Sequence, residues 1–289
     1  VINYTNPMTL CTAALYAAEP DIKAFGCCHE VFGTQRRLAG IAAEQLDVPR
    51  PPRQAIKTDV AGVNHFTFAT AARWQNGGAN PPMDLYPVVA RYLKTSDVWE
   101  DHTAWSKAME AQGRWFGSKG KVAFEFFRRY GVLGAAGDRH LMEFVPWYLG
   151  SEEAVHRYGV RLTPSSYRLG TWQPPQNAPK IEVAAREKDT ERLTHSGEEG
   201  VAQMMALLGI EPLDTNVNLP NMGQMPAMPL GAVVETNAQF REDSLTPVVP
   251  KPLSDGVRTL VRRIVDVQAM TLEAAIHKDK DLAFRALLN

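Results

Sequence analysis

Three short stretches of this chain hold side chains that could do chemistry. The first is Cys27-Cys28-His29-Glu30, between an apolar stretch, Ile22 to Cys28, and a helical period that begins at Phe32. Strand-to-helix junctions are where α/β folds place ligand-contacting groups, because the first N–H donors of a helix are free there. Cysteines and a histidine at such a junction suit a metal ion; equally, the cysteines could fill the core as small hydrophobes and His29 could simply open the helix. No C-x-x-C pattern is present, which argues against a structural zinc ribbon. The second stretch is Gly62-Val63-Asn64-His65-Phe66, where one imidazole sits in an otherwise apolar strand and needs a hydrogen bond or a metal once buried. Cys28 and His65 could give a thiolate and an imidazole to one ion, with positions left open for substrate oxygens and water. Donor softness by itself points to zinc. The third is Asp138-Arg139-His140, a possible carboxylate base beside a cation for an anionic substrate group, although Asp138 could also cap the helix that follows. Tyr130 could serve as base if its pKa were lowered. Asn218 and Asn221, read as loop residues ahead of a strand, could bind substrate hydroxyls or merely form turns.

These residues need elements to position them. Val1 to Tyr4 reads as a strand end, and Asn6-Pro7 before MTLCTAALYAAE reads as an N-cap with Pro at the first helical position. Leu38, Ile41, Ala42 and Leu46 space a helix over 32–46, and GVNHFTFAT alternates as a strand entering the core. VPRPPRQ and GGANPP are loops by their prolines and glycines. Residues 83–94, 103–115 and 119–130 have helical period, with Gly131 placed to end the last. A polar stretch follows around 163–180, then a helix over 181–208 whose AREKDTER run is a solvated face. Residues 211–230 carry four prolines and no period, AVVET reads as a strand, and the tail from Ser254 is a long amphipathic helix broken near KDKD.

Composition bounds the class. With 289 residues, 45% apolar and 22% charged, the chain can bury a sizeable core, which excludes disorder. Its formal net charge of −1 gives no footprint for nucleic acid or an anionic membrane, so small molecules are the expected partners. No apolar run reaches the ~18–20 residues of a membrane span, and VINYTNP is no export signal. Three cysteines are too few for a disulfide framework, and reduced thiols in cytoplasm are expected. The chain opens on Val1 and closes in a helix-like run, and so reads as a portion of a longer protein, a single domain over 1–289 cut at both ends.

Several motifs, in order, resemble the C-terminal two-thirds of glycoside hydrolase family 4: NYTNPM at 3–8, GCCHEVFGTQ at 26–35, GVNHF at 62–66, DRHLMEFVPWY at 138–148, NLPNMGQMPAMPLGAVVE at 218–235 and the terminal DLAFRALL. The resemblance implies an α+β fold, a mixed sheet with packed helices like the C-terminal domain of the lactate dehydrogenase lineage, with a Rossmann domain upstream of this chain. It implies NAD and Mn²⁺ as cofactors, against the zinc that softness favoured. The implied mechanism oxidises the sugar at C3, which acidifies the C2 proton and lets the glycosidic bond break by elimination before water adds; this family is a known exception to the two-carboxylate scheme of glycosidases.

Residue by residue, the resemblance assigns Cys28 and His65 as metal ligands, Asn6 as a substrate contact, beside the Asn218 already read as one, and Asn3 to the nicotinamide end of the cofactor. His29 is implied as proton donor to the leaving group or as a substrate contact, and Asp138, ahead of Tyr130, as the C2 base. The tripeptide Cys28-His29-Glu30 resembles that of α-galacturonidases, and a uronate carboxylate would need a cation such as Arg139 or the Arg36-Arg37 pair. The expected substrate is therefore a small carbohydrate, an α-galacturonide, and the expected assembly a homo-oligomer. Alternatives are α-glucuronidase or α-galactosidase specificity, a hydroxy-acid dehydrogenase of the lactate/malate type, and a non-catalytic sugar-binding relative.

Overall fold

The apolar runs meet in one sheet. A computed structural model describes residues 1–75, 81–171 and 197–289, and its strands are β1 (Ile2–Asn3), β2 (Phe25–Gly26), β3 (Ile56–Val63), β4 (Phe66–Trp74), β5 (Met83–Asp84), β6 (Leu133–Gly134), β7 (Leu213–Pro220), β8 (Val233–Arg241) and β9 (Ser244–Pro247). They lie in the order β1-β2-β7-β8-β3-β4-β5, with β6 against β4 and β9 against β8. β1 and β2 run parallel and the other pairings are antiparallel, which gives the mixed sheet expected of the α+β class.

The helices are α1 (Met8–Ala18), α2 (Glu30–Leu46), α3 (Tyr86–Thr95), α4 (Thr103–Ala111), α5 (Lys121–Tyr130), α6 (Asp138–Glu143), α7 (Glu152–Arg157), α8 (Ser165–Thr171), α9 (Gly200–Leu207), α10 (Asp255–His277) and α11 (Lys280–Leu287). Val60, Val63, Phe66 and Phe68 of the β3–β4 hairpin share one core with Leu38 and Ile41 of α2, Val122 and Phe126 of α5, and Val257 and Val261 of α10. Phe66 and Phe126 each meet Phe68 edge to face with centroids 5.0 Å apart, the geometry the ring quadrupole favours. A smaller core joins Phe25, Val217, Leu219 and Phe240 to Ala206 of α9. Among the described residues, no helix is long and apolar enough to cross a membrane.

Several boundaries follow the sequence signals. Gly131 ends α5 in the left-handed region at φ 72°, and Lys278 at φ 54° breaks the tail between α10 and α11. Other expectations are corrected. GVNHFTFAT is not one strand: β3 ends at Val63, β4 starts at Phe66, and these two residues pair across an Asn64-His65 turn. Apolar alternation continues on both sides of the turn, so the pattern alone hides it. The segment 211–230 is not all loop, because Leu213–Pro220 forms the eight-residue strand β7. Its asparagines, ordinarily turn formers, are held in the strand by buried partners. α1 begins at Met8 with Pro7 in the cap position, while Asn6 Oδ1 accepts the Met8 N–H at 3.2 Å. The predicted loop at 77–82, the polar stretch at 163–180 and the helix over 181–208 fall partly outside the described residues, and AREKDTER wholly so.

Candidate active site

Close backbone approach brings the Cys27-Cys28 pair to the start of α2. Gly26 pairs with Asn3 of β1 and Asn218 of β7, and a Cβ on it would lie 2.8 Å from Met8 Cγ and 2.9 Å from Asn218 Cβ. Only glycine lets α1 lie this close over β2. Cys28 follows, buried, and its carbonyl accepts from Asn216 Nδ2 at 3.0 Å. The same amide nitrogen donates to Glu235 Oε1 at 2.8 Å. Glu235 itself is 1% exposed. Its other oxygen lies 2.7 Å from Thr67 Oγ1, which is also 2.8 Å from the Val63 carbonyl. A threonine hydroxyl has one proton, so satisfying both contacts requires a proton on Glu235, donated to the Thr67 oxygen. Burial drives the carboxyl the same way, above its ordinary value, and outweighs the opposing effect of its contacts with Thr67 and Asn216.

The β3–β4 turn brings the second group. The Asn64 backbone N–H donates to Thr9 Oγ1 of α1 at 3.1 Å, and His65 takes a left-handed conformation at φ 67°. His65 stacks on His140 of α6, centroids 4.1 Å apart and planes 23° from parallel. His140 Nδ1 lies 3.4 Å from Glu143 Oε2 and its Nε2 3.8 Å from Glu30 Oε1, while Glu30 Oε2 accepts the Gly137 N–H at 2.9 Å. Burial, then the neighbouring His140, lowers the His65 pKa to about 4, so its imidazole is neutral at pH 7. Burial pushes Glu143 up, but the hydrogen bond and charge of His140, with Arg139, outweigh it and hold the carboxyl below its ordinary value.

Cys28 and His65 suit a metal ion in their chemistry. Burial and then the Glu235 carboxyl push the Cys28 thiol up to about 12, so a bound cation would be needed to make it a thiolate. Asn64 Nδ2, buried with no partner in hydrogen-bond geometry, lies beside that thiol and favours its charged form. A neutral imidazole is the form that ligates. Among the described residues no group of three or more His, Cys, Asp or Glu side chains is arranged to hold an ion, so this pair would supply only part of a coordination sphere.

The remaining predicted residues divide. His29, more than half exposed at the N-terminus of α2, has Nδ1 2.7 Å from Glu198 Oε1. Arg139 donates through Nη1 to Thr163 Oγ1, approaches Glu143 at 3.6 Å and lies over the Phe116 ring at 5.4 Å. Asp138 does not face solvent: it is 0% exposed, its Oδ1 accepts the Ala123 N–H at 3.0 Å near the start of α5, and Oδ2 has no hydrogen-bond partner. Burial raises its pKa, opposed by Arg37, so this placement reads as a brace between α6 and α5 rather than a base. Tyr130 packs on the Phe126 ring and against Gly256 of α10, and lines a 320 Å³ cavity with Glu125, Trp147 and Tyr158 that neither Cys28 nor His65 lines. Asn218 lies in β7, 0% exposed, with its amide on Met8 Sδ and Thr9 Oγ1. Asn221 spends its amide on the carbonyls of Met225, Met228 and Pro229. Asn3 donates to Thr12 Oγ1 at 3.0 Å and accepts the Thr5 N–H, which orders the β1–α1 connection.

Asn64, Asn216 and Glu235 were missed as partners of Cys28, and His140 and Glu143 as neighbours of His65. Glu235 did leave a signal, a lone carboxylate in the apolar run AVVET.

The order of these segments matches known proteins. A profile described as family 4 glycosyl hydrolase C-terminal domain covers residues 60–289, and one described as family 4 glycosyl hydrolase covers residues 1–44. The chain belongs to family 4 of the glycosyl hydrolases. Within that family it is 44% identical over 293 residues to an alpha-galacturonidase of Thermoanaerobacter italicus, covering 100% of this chain and 61% of the relative. It is 39% identical to the Bacillus subtilis alpha-galacturonidase, of which it covers 62%, and 25% identical to an alpha-galactosidase of the same organism, of which it covers 59%. A crystal structure from Bacillus subtilis described as a glucosidase, lplD, superposes with TM-score 0.78 at 38% identity, covering 100% of this chain and 63% of that one. The Thermotoga maritima 6-phospho-beta-glucosidase, solved with manganese, NAD⁺ and glucose-6-phosphate, shares the fold at TM-score 0.61 and 15% identity, over 99% of this chain and 59% of that one.

Proposed function

We propose that the whole protein is an α-galacturonidase using NAD and Mn²⁺, and that this chain is its C-terminal catalytic part, joined to an upstream dinucleotide-binding domain. One observation carries the substrate: across the full chain, identity is 38–45% to proteins named alpha-galacturonidase but only 24–25% to alpha-galactosidases and an alpha-glucosidase of the same family. The family assignment also favours a glycosidase over a hydroxy-acid dehydrogenase.

In this reading Cys28 and His65 would hold the ion through a thiolate and a neutral imidazole. Bound NAD and Mn²⁺ would supply reversible oxidation and charge neutralisation at the sugar. His29, exposed beside Glu198, gives a proton to the leaving group or contacts the substrate. Arg139, held by Thr163 and Glu143, answers the uronate carboxylate, and exposed Asn6 contacts the sugar. With Asp138 buried against α5 and Tyr130 lining a separate cavity, the described groups near His65 able to exchange a proton include His140, Glu30 and Glu143. The protein acts in the cytoplasm, as a homo-oligomer, on small carbohydrates rather than on nucleic acid or membranes.

The test is release of galacturonate from an α-galacturonide by the full-length protein, with and without NAD⁺, Mn²⁺ and a thiol reductant. Activity is expected to need all three. Equal or better turnover of a neutral α-galactoside would overturn the assigned sugar, and metal-independent oxidation of a hydroxy acid would overturn the reaction class.

A further inference from the structure

We infer that Glu235 is a positioning residue that sets the spacing between Cys28 and His65. It rests on the reading of those two side chains as metal ligands, and on geometry that the reading does not use. Glu235 lies in β8, paired with Asn218 of β7 on one side and with Gly62 of β3 on the other. Those two neighbours lead to the two ligand-bearing segments. Through Oε1 the carboxyl meets Asn216, which holds the Cys28 carbonyl. Through Oε2 it meets Thr67, whose hydroxyl reaches back to the Val63 carbonyl. Val63 and Thr67 bracket the Asn64-His65 turn, so this second branch fixes the tip that carries His65. One rigid carboxyl group thus ties both ligands to the same central strand.

At 1% exposure, no bulk water can take over either hydrogen bond if the side chain is removed. A purely space-filling residue would need neither bond; a positioning residue needs both. Groups that orient ligands in this way are worth about 10–100-fold in metal affinity. The proton count above also predicts which replacement should work. Glutamine can accept from Asn216 through its oxygen and donate to the Thr67 oxygen through its nitrogen, reproducing the pattern of a protonated Glu235.

The experiment uses the full-length protein and two readouts besides turnover: Mn²⁺ affinity by titration, and the thiolate-to-metal charge-transfer band with Co²⁺ as probe. Wild type is compared with Glu235→Leu, Glu235→Gln and Thr67→Val, with folding checked by thermal melts. Glu235→Leu should weaken Mn²⁺ binding about 10–100-fold and shift the Co²⁺ band. Thr67→Val, which cuts one branch, should do the same to a smaller degree, and Glu235→Gln should stay close to wild type. Folded Glu235→Leu and Thr67→Val with wild-type affinity and spectrum would overturn the inference. So would Glu235→Gln failing as badly as Glu235→Leu, since position would then not be what matters. If Glu235→Leu does not fold, Thr67→Val decides alone. A wild type that takes up no Mn²⁺ would refute the metal reading and this inference with it, whereas uptake unchanged in the variants would refute the inference alone.

Discussion

Gly62→Ala should damage the site without touching a chemical group in it. Gly62 pairs with Thr67 across the β3–β4 hairpin and has φ 154°, which L side chains rarely adopt. A Cβ there would overlap the Phe66 carbonyl oxygen and lie 2.7 Å from Thr67 Cα. Both neighbours are backbone, so no side chain can swing away. Ordinary contact begins near 3.4 Å, and the strands must therefore part by at least roughly 0.7 Å, more at the Phe66 carbonyl. Overpacking costs about 1–3 kcal/mol and the unusual backbone angle about 1 kcal/mol more, for a total of about 2–4 kcal/mol. In a chain of this size that lowers Tm by about 3–7 °C. The control is the same substitution at Gly33, exposed in α2 with nothing within 4 Å of a built Cβ. Gly33→Ala should gain about 0.5–1 kcal/mol, because alanine loses less backbone entropy in a helix. Calorimetry on both variants measures the contrast, and Mn²⁺ titration should show weaker binding only for Gly62→Ala, whose turn carries His65. A Gly62→Ala melt within about 1 °C of wild type, or a fall in both variants, would refute the reasoning.

Arg161 is 1% exposed and donates to the carbonyls of Arg114, Gly159, Phe116 and Gly117; Arg161→Met should cost about 3–5 kcal/mol in urea unfolding, and a loss under about 1 kcal/mol would contradict the bonded role. His65 titrates near pH 4 in the fold, against an ordinary value of 6.5, so the unfolded chain binds more protons between those values. The stability it contributes is present above pH 6.5 and is lost as pH falls through about 4; His65→Asn, which tolerates the left-handed turn, should flatten urea midpoints between pH 7 and 4.5, and an unchanged slope would sink the assignment. Asp138→Asn keeps an acceptor for the Ala123 N–H and should leave exchange of the substrate C2 proton intact in the full-length enzyme; a folded variant that has lost exchange would restore Asp138 as the base.

Local signals in the chain carried much of the architecture. Gly131 and Lys278 end helices where the left-handed region allows it, the i, i+3, i+4 spacing drew α2 and α10, and the order of motifs from Asn3 to Leu288 announced the family. Those features depend on near neighbours, so sequence expresses them directly. The candidate pair Cys28 and His65 also stood out, as a cysteine and a histidine in apolar runs, although core filling accounts for such residues as well. What surrounds the pair did not stand out. Asn216 and Asn218 look like turn residues until buried partners at long sequence separation hold them in β7, and only the fold shows that the Asp138 carboxyl is buried against α5. Glu235 lies 207 positions from Cys28 and 170 from His65, and reaches both only because β8 runs between β7 and β3. Strand order is a property of the whole sheet, decided by which faces bury together, and it is what turns scattered polar residues into one network.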